Sequence, residues 1–445
     1  MATLDADEKR LEQIVGRVVE LAKARGATQA EAAVSMDAGL SVTVRMGDVE
    51  TIEYHNDRGI GVTVYFDKRK GSASSSDFSD EAIGQTVDKA VSIARYTAED
   101  PCAGLADAER MATSLPDLEL SHPWAITPEE AVEIAMRCEH SARDVDARIT
   151  NSDGASVTSH QGMRVYANSH GFIGGYPSTG HSISCSVVAR DDNGMERDYW
   201  YDSARAADAM MSPEAIGRRA GERTVRRLGA RQAQTSKVPV VFPPELARGL
   251  IGHALSALRG TVQYRQSSFL LGASGEQVFP EFMRVSERPH LPRAMASAPM
   301  DNEGVATADR ELVIDGVIQG YILGSYSARK LGLETTANAG GVHNMIVAAS
   351  IEGGLMELIR KVPQGLLVTE LMGQGVNAVT GDYSRGAAGF WIENGQLSHP
   401  VHEITIASNL REMYRNIVAV GDDVDVRGRV RCGSIMLEQM TVAGN

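Results

Sequence analysis

Arg58-Gly-Ile-Gly-Val-Thr-Val-Tyr-Phe-Asp-Lys-Arg-Lys-Gly71 is the stretch that decides the fold class. Val62, Val64 and Phe66 recur at every second residue, the period of a half-buried strand. Asp67-Lys-Arg-Lys-Gly71 then supplies the polar, glycine-ended break that a chain reversal needs. Val42 and Val44 alternate in the same way upstream. The separators Asp37-Ala-Gly39, Gly47-Asp48 and Asn56-Asp57-Arg58-Gly59 divide the chain from Glu31 to Ser75 into four short strands. Helices flank this meander. Leu11, Ile14, Val15, Val18 and Leu21 keep helical spacing, with Gly26 placed as a C-terminal cap. Asp80 to Arg95 forms a second helix that turns Ile83, Val87, Ala90, Val91 and Ala94 inward.

The order then repeats. Thr127-Pro128-Glu129-Glu130 combines an N-cap, a proline at the first helical position and a capping-box glutamate. Turn-rich β segments run from Ile149 to Tyr201, and Ser212-Pro213-Glu214 opens a helix ending near Gly229. The first half therefore reads as two helix–meander–helix units, one from about Leu11 and one from about Thr127, alike in pattern without sequence identity. Gly229 to Lys237 is polar and structureless, and Pro239-Val-Val-Phe-Pro-Pro244 is a strand ending in a stop. The boundary falls there, giving an N-terminal α+β domain over 1–230 and a C-terminal β-rich domain over 238–445. Glu245 to Leu258 is a helix. Arg310 to Leu323 is a hairpin whose Asp315-Gly316 supplies the positive-φ turn, and Gly354 to Arg360 is one further helix. The fold class is α+β.

At 445 residues the chain is too long for one ordinary core. Hydrophobic residues at 43% and charged residues at 23% exclude a disordered or fibrous chain. A net charge of -14 argues against a nucleic-acid binder, which needs clustered cations. Arg218, Arg219, Arg223, Arg226 and Arg227 do cluster, and read as the solvated face of a helix. The start Met-Ala-Thr-Leu-Asp-Ala-Asp-Glu-Lys-Arg lacks the basic and apolar regions of a secretory leader. No apolar run is long enough for a membrane span. Cys102, Cys138, Cys185 and Cys432 form no C-x-x-C pair and suit free thiols in a reducing cytoplasm.

Familiar catalytic signatures are missing. The sequence has no nucleophile elbow, no P-loop and no H-E-x-x-H, and Gly373-Gln-Gly375 lacks the third glycine of a dinucleotide loop. His402-Glu403 lies in an alternating run that puts His399 and His402 on opposite faces. His402 thus reads as a hydrogen-bonded strand histidine rather than a metal ligand. Two glycine-loaded regions stand out, Ser325 to Asn344 and Met372 to Phe390. Their glycines let backbones approach closely, which suits a cleft for extended peptide. They also suit a crowded β domain, and composition alone favours crowding. Polar side chains set among these glycines make Gly340, Gly341, His343, Asn344, Asp382 and Arg385 the substrate-contact candidates. An internal Asp382–Arg385 ion pair is the alternative.

The same regions carry a resemblance. Met372-Gly-Gln-Gly375 with Thr380-Gly-Asp-Tyr-Ser-Arg-Gly-Ala387, Ala339-Gly-Gly-Val-His-Asn344, Glu403-Ile-Thr-Ile-Ala407 and Cys432-Gly-Ser434 resemble the PmbA/TldE branch of the TldD/PmbA family. Arg69-Lys-Gly-Ser-Ala-Ser-Ser-Ser76 and Asn168-Ser-His-Gly171 extend the likeness over nearly the whole chain. The resemblance implies a cytosolic bacterial protease of two related subunits around a chamber for unfolded peptide. The TldD-type subunit would hold zinc through H-E-x-x-x-H and a distant cysteine, zinc activating water with the glutamate as base. The older family label, modulator of DNA gyrase, implies a genetic connection rather than DNA binding. The matching stretch here is Arg248-Gly-Leu-Ile-Gly-His253: Arg248 replaces the first histidine and Gly249 the glutamate. His253 and Cys432 remain as weak remnants of a metal site. The expectation is a non-catalytic partner that binds no cofactor itself. Zinc would sit in a TldD-like subunit of a heterodimer, the chain alone being possible as a homodimer, with no nucleic-acid or membrane partner. The alternatives are a peptidase with a cryptic site of its own and a regulatory module acting on DNA topology.

Overall fold

The computed structural model describes residues 4–444; Met1 to Thr3, part of the leader reading, lie outside the described residues. The first half contains α1 (Leu4–Ala24), β1 (Gln29–Arg45), β2 (Asp48–Phe66), β3 (Arg69–Ser75) and α2 (Asp80–Tyr96). It continues with α3 (Pro128–Arg143), β4 (Ile149–Asn168), β5 (Ile173–Asp191), β6 (Gly194–Ala204) and α4 (Pro213–Val225). These are the two expected helix–meander–helix units. Their strands join in one antiparallel sheet of order β3-β2-β1-β4-β5-β6, with β1 against β4 at the join. All four helices cover one face. Ala30, Ala32 and Val34 of β1 pack with α1 and α2, while Leu40, Val42 and Val44 pack with α3 and α4.

That arrangement corrects the four-strand reading. Asp37 and Gly39 do not turn the chain but pair across the sheet with Asp57 and His55. The polar stretch sits at the seam between the two helix pairs, where no apolar cover is required. The expected break after Phe66 does turn the chain, with Asp67 at φ 54°. The expected Gly47-Asp48 break turns one residue earlier, at Met46-Gly47, with φ of 55° and 85°. It is held by the buried Glu139 of α3, whose two carboxylate oxygens accept the Met46 and Gly47 amides at 2.8 Å each. One half of the repeat thereby closes the hairpin of the other.

The units also share sequence, contrary to expectation: Ser79-Asp-Glu-Ala-Ile-Gly84 opens α2 and Ser212-Pro-Glu-Ala-Ile-Gly217 opens α4. Ser79 accepts the Ala82 amide at 3.3 Å and Ser212 the Ala215 amide at 3.2 Å. Each hydroxyl satisfies a donor that the helix start leaves unpaired. Ile83 and Ile216 are both fully buried. The capping box of α3 is present, with Thr127 and Glu130 exchanging bonds of 2.9 and 3.2 Å.

The second half contains β7 (Ser236–Phe242), α5 (Pro244–Ala257), α6 (Gly260–Tyr264), β8 (Val285–Glu287), β9 (Arg310–Ile314), β10 (Val317–Ile318) and α7 (Ser325–Leu331). Next come β11 (Met345–Val347), α8 (Gly354–Arg360), β12 (Gln364–Met372), β13 (Asp382–Glu393), β14 (Gln396–Asn409) and α9 (Leu410–Arg415). β15 (Ile417–Val420), β16 (Val430–Arg431) and β17 (Ile435–Ala443) complete it. One sheet runs β14-β13-β12-β7-β17-β15, and a further β14–β17 pairing closes five of its strands into a ring. The other runs β10-β9-β8-β11-β16. The fold is α+β, as expected, and the Asp315-Gly316 turn has φ of 50° and 77°. Ser325 to Leu331 is a helix that the β-rich reading missed; Gly332, at φ 67°, is its left-handed cap. Among the described residues no helix is long and apolar enough to cross a membrane.

Candidate functional site

A cleft of about 740 Å³ opens between the two halves. One wall is β6 and α4; the other is the start of α5, α8, β12, β13 and the loop before β16. Trp200 of β6 forms its floor. The Arg219 guanidinium lies 3.6 Å from the Trp200 ring centroid, with Arg427 at 4.6 Å and Arg223 at 5.1 Å. Arg226 lies 5.0 Å from the Phe390 ring. Arg218, Arg219 and Arg226 are exposed, as a solvated face predicts, whereas Arg223 and Arg227 are half-buried in ion pairs. Arg223 pairs with Asp198 at 3.3 Å and Glu245 at 2.9 Å. Arg227, 11% exposed, meets Glu196 at 3.1 Å and Glu370 at 2.5 Å, pinning the halves together. His402 joins this seam through Glu196 at 3.2 Å, as befits a hydrogen-bonded strand histidine.

Helix α5 borders the cleft. It buries Ala247, Leu250, Ile251, Ala254 and Leu255, and the Tyr414 hydroxyl donates to the Leu250 carbonyl at 3.0 Å. Arg248 and His253 are five residues apart, about 140° around the helix, and face different neighbours. Arg248 donates to the Tyr201 hydroxyl at 2.8 Å and to Asp425 at 3.3 Å. Burial alone would raise the Asp425 pKa, but hydrogen bonds from Arg427 and the charges of Arg427 and Arg248 hold it below the usual carboxylate value. His253 packs edge-on against Tyr383, centroids 6.1 Å apart. Burial and then the charge of Arg385 lower its pKa, so the ring is neutral near pH 7. Cys432 is fully buried and donates to the Gly433 carbonyl at 3.1 Å. Burial, then Asp423, raises its pKa and keeps the thiol protonated.

Comparison with known proteins places this geometry. Models of PmbA/TldA metallopeptidases match the chain as domain 1 over 30–94, the central domain over 121–228 and the C-terminal domain over 235–444. The chain belongs to the PmbA/TldA metallopeptidase family. It is 48% identical over 446 residues to the metalloprotease PmbA of Escherichia coli O157:H7, covering 100% of this chain and 98% of that one. A PmbA homolog of Haemophilus influenzae is 47% identical over 444 residues, with coverage of 100% and 98%. The crystal structure of a proposed modulator of DNA gyrase from Bacteroides thetaiotaomicron superposes with a TM-score of 0.92 at 28% identity, covering 98% and 99%. TldE from Thermococcus kodakarensis shares the fold, with a TM-score of 0.86 at 20% identity and coverage of 97% and 100%.

Membership of a metallopeptidase family raises the question of a metal. The residues that the sequence resemblance singles out, Arg248, His253 and Cys432, do not fit one. Arg248 is a cation clamped by an acid, Gly249 offers no carboxylate, and the Cys432 proton is engaged rather than released, whereas zinc needs a thiolate and a full set of free lone pairs. Among the described residues no three His, Cys, Asp or Glu side chains lie together as a ligand set.

The substrate-contact candidates fall in three places. His343 and Asn344 are internal: His343 meets Glu287 through its amide at 2.6 Å and its ring at 3.2 Å. Asn344 donates to the Arg288 carbonyl at 2.9 Å and Ser297 at 2.6 Å. Gly340 and Gly341 have φ of 102° and 122°. A side chain at Gly340 would strike Asn302 at 2.3 Å. Arg385 shares the face of β13 that carries Tyr383, near His253. Asp382 lies on the opposite face, bonded to Thr380 at 2.6 Å. Their odd separation along a strand keeps them apart, and among the described residues they form no ion pair. Sequence reasoning missed Trp200, Arg427 and Glu287. A Tyr199-Trp-Tyr201 run ahead of arginines spaced three and four apart on a helix was the available signal.

Proposed function

We propose that this chain is the non-catalytic, TldE-type subunit of a two-subunit bacterial metalloprotease that acts on unfolded peptide in the cytoplasm. A TldD-like subunit would supply the zinc, and the chain would contribute the 1–230 and 238–445 domains to a shared chamber. The observation that carries this reading is Arg248, standing where the family's first histidine would be and held by Asp425 and Tyr201. A guanidinium cannot coordinate a metal, and its charge opposes a cation nearby. Gly249 leaves no carboxylate to serve as the base. Among the substrate-contact candidates, Arg385 and Asp382 are the side chains left available to a peptide, while Gly340, Gly341, His343 and Asn344 act as its scaffold.

The test is cleavage of a casein-type peptide by the purified chain, alone and mixed with a TldD-like subunit. The lone chain should be inert and the mixture active, with the two eluting together on gel filtration. Cleavage by the lone chain would overturn the reading in favour of a site of its own.

A further inference from the structure

The interdomain cleft has more cationic capacity than its own acids use. Of the carboxylates on its walls, Asp198 and Glu245 are taken by Arg223, and Asp425 by Arg427 and Arg248. Asp202 accepts the Met211 amide at 2.8 Å, and Asp423 accepts the Ser434 amide and hydroxyl at 2.9 and 2.7 Å. Glu222 is the one acid left over. Against it stand Arg218, Arg219 and Arg226, none of which forms an ion pair among the described residues. Arg219 and Arg226 lie over the rings of Trp200 and Phe390, which leaves the N–H edges of each guanidinium free to grip a planar anion in two places. Arg219 remains exposed, so its guanidinium is open to a ligand while it rests on Trp200. Between these charges the cleft is apolar, lined by Leu355, Met356, Ile359, Leu367 and Val424. Its volume of about 740 Å³ lies in the range of ligand pockets, roughly 300–1,000 Å³.

We infer that this cleft binds a peptide segment in which a carboxylate sits beside bulky apolar side chains. The carboxylate lies in the fork of Arg219 and Arg226, and the side chains lie against Leu355, Met356 and Ile359. The carboxylate is either the peptide's C-terminus or an Asp or Glu side chain. A nucleic acid would use the same arginines, but the aliphatic lining has no use for phosphates and the chain's net charge of -14 repels them. This assignment rests on the peptide-handling reading above and names the end of the peptide that the chain holds.

The experiment is fluorescence anisotropy on the full chain with three labelled hexapeptides of Leu, Ile and Phe: one with a free C-terminus, one amidated, and one amidated with a single glutamate. At least one carboxylate peptide should bind about ten-fold tighter than the neutral amide, the factor expected of a charge-assisted fork. Whichever of the two binds better identifies the source of the carboxylate. Arg219→Gln and Arg226→Gln should each weaken that peptide about five-fold, while Lys89→Gln on the remote face of α2 should leave it unchanged, with circular dichroism showing all three folded. Equal binding of the three peptides, folded Arg219→Gln and Arg226→Gln chains with unaltered affinity, or tighter binding of a short oligothymidylate would each overturn the assignment. The readout needs neither zinc nor cleavage, so its failure leaves the subunit reading standing. Cleavage by the lone chain would defeat that reading while leaving the peptide affinity measurable.

Discussion

Gly84 and Gly217 occupy the same place in two copies of one helix start, yet their surroundings differ completely. A side chain at Gly84 would meet nothing within 4 Å, whereas at Gly217 it would lie 1.9 Å from the Cys138 carbonyl oxygen. Gly221 repeats the contact one turn later, 2.4 Å from the Ala142 carbonyl oxygen. The first helix pair is held apart by Leu11, Val15, Val18, Ile83 and Val87. In the second, Ala131, Ala135, Cys138 and Ala142 meet Gly217, Ala220 and Gly221, and the helix backbones nearly touch. The charges differ too. Arg25 and Asp88 pair at 2.9 Å in solvent, whereas Arg227 is half-buried at the seam between the halves. One scaffold thus serves twice, once as plain support and once drawn tight to present arginines to the cleft.

The comparison is sharpest where one copy should tolerate what the other cannot. The largest effect is expected at the seam. Arg227→Ala removes the cation from Glu370 and leaves Glu196 only His402, and should cost about 3 kcal/mol, while Arg25→Ala should cost under about 0.5 kcal/mol. Urea unfolding of both variants checks this, and similar costs would break the contrast. Gly217→Val should destabilise by about 3 kcal/mol through overpacking. Gly84→Ala should stabilise by about 0.5–1 kcal/mol, since helical glycine is costly and the space is open. Glu139→Gln, which leaves one hairpin amide without its acceptor, should cost about 2 kcal/mol. Hydrogen exchange at Met46 and Gly47 should rise with it. The caps should be equal in the two copies: Ser79→Ala and Ser212→Ala should each cost about 1 kcal/mol, and unequal values would show that the copies no longer share this device.

What the sequence revealed was local. The Thr127 capping box, the Ser212 start and the Asp315-Gly316 turn depend on a few neighbouring residues, and each formed as read. The four-strand reading failed because Asp37 and Asn56 sit at a seam between one helix pair and a second pair that begins only at Pro128, which no window around them contains. The pairing of Arg223 and Arg227 was missed for a similar reason. A charged helix face looks alike whether water or a second domain lies opposite, and only the fold brings Trp200, Glu245 and Arg427 to it. His343 was legible as unusual but not as internal, because its partner Glu287 lies far upstream as a single unremarked acid. The altered zinc motif is a proposal read from the sequence alone, that Arg248 and Gly249 stand where histidine and glutamate would be.

The central claim is that this chain has no working metal site, and zinc content tests it most directly. The chain should be purified without chelator, dialysed against equimolar zinc and measured by elemental analysis, beside the Arg248→His, Gly249→Glu double variant. The account predicts far less than one zinc per wild-type chain, with any uptake confined to the double variant. Stoichiometric zinc in the wild-type chain, lost on Cys432→Ser or His253→Ala, would contradict it.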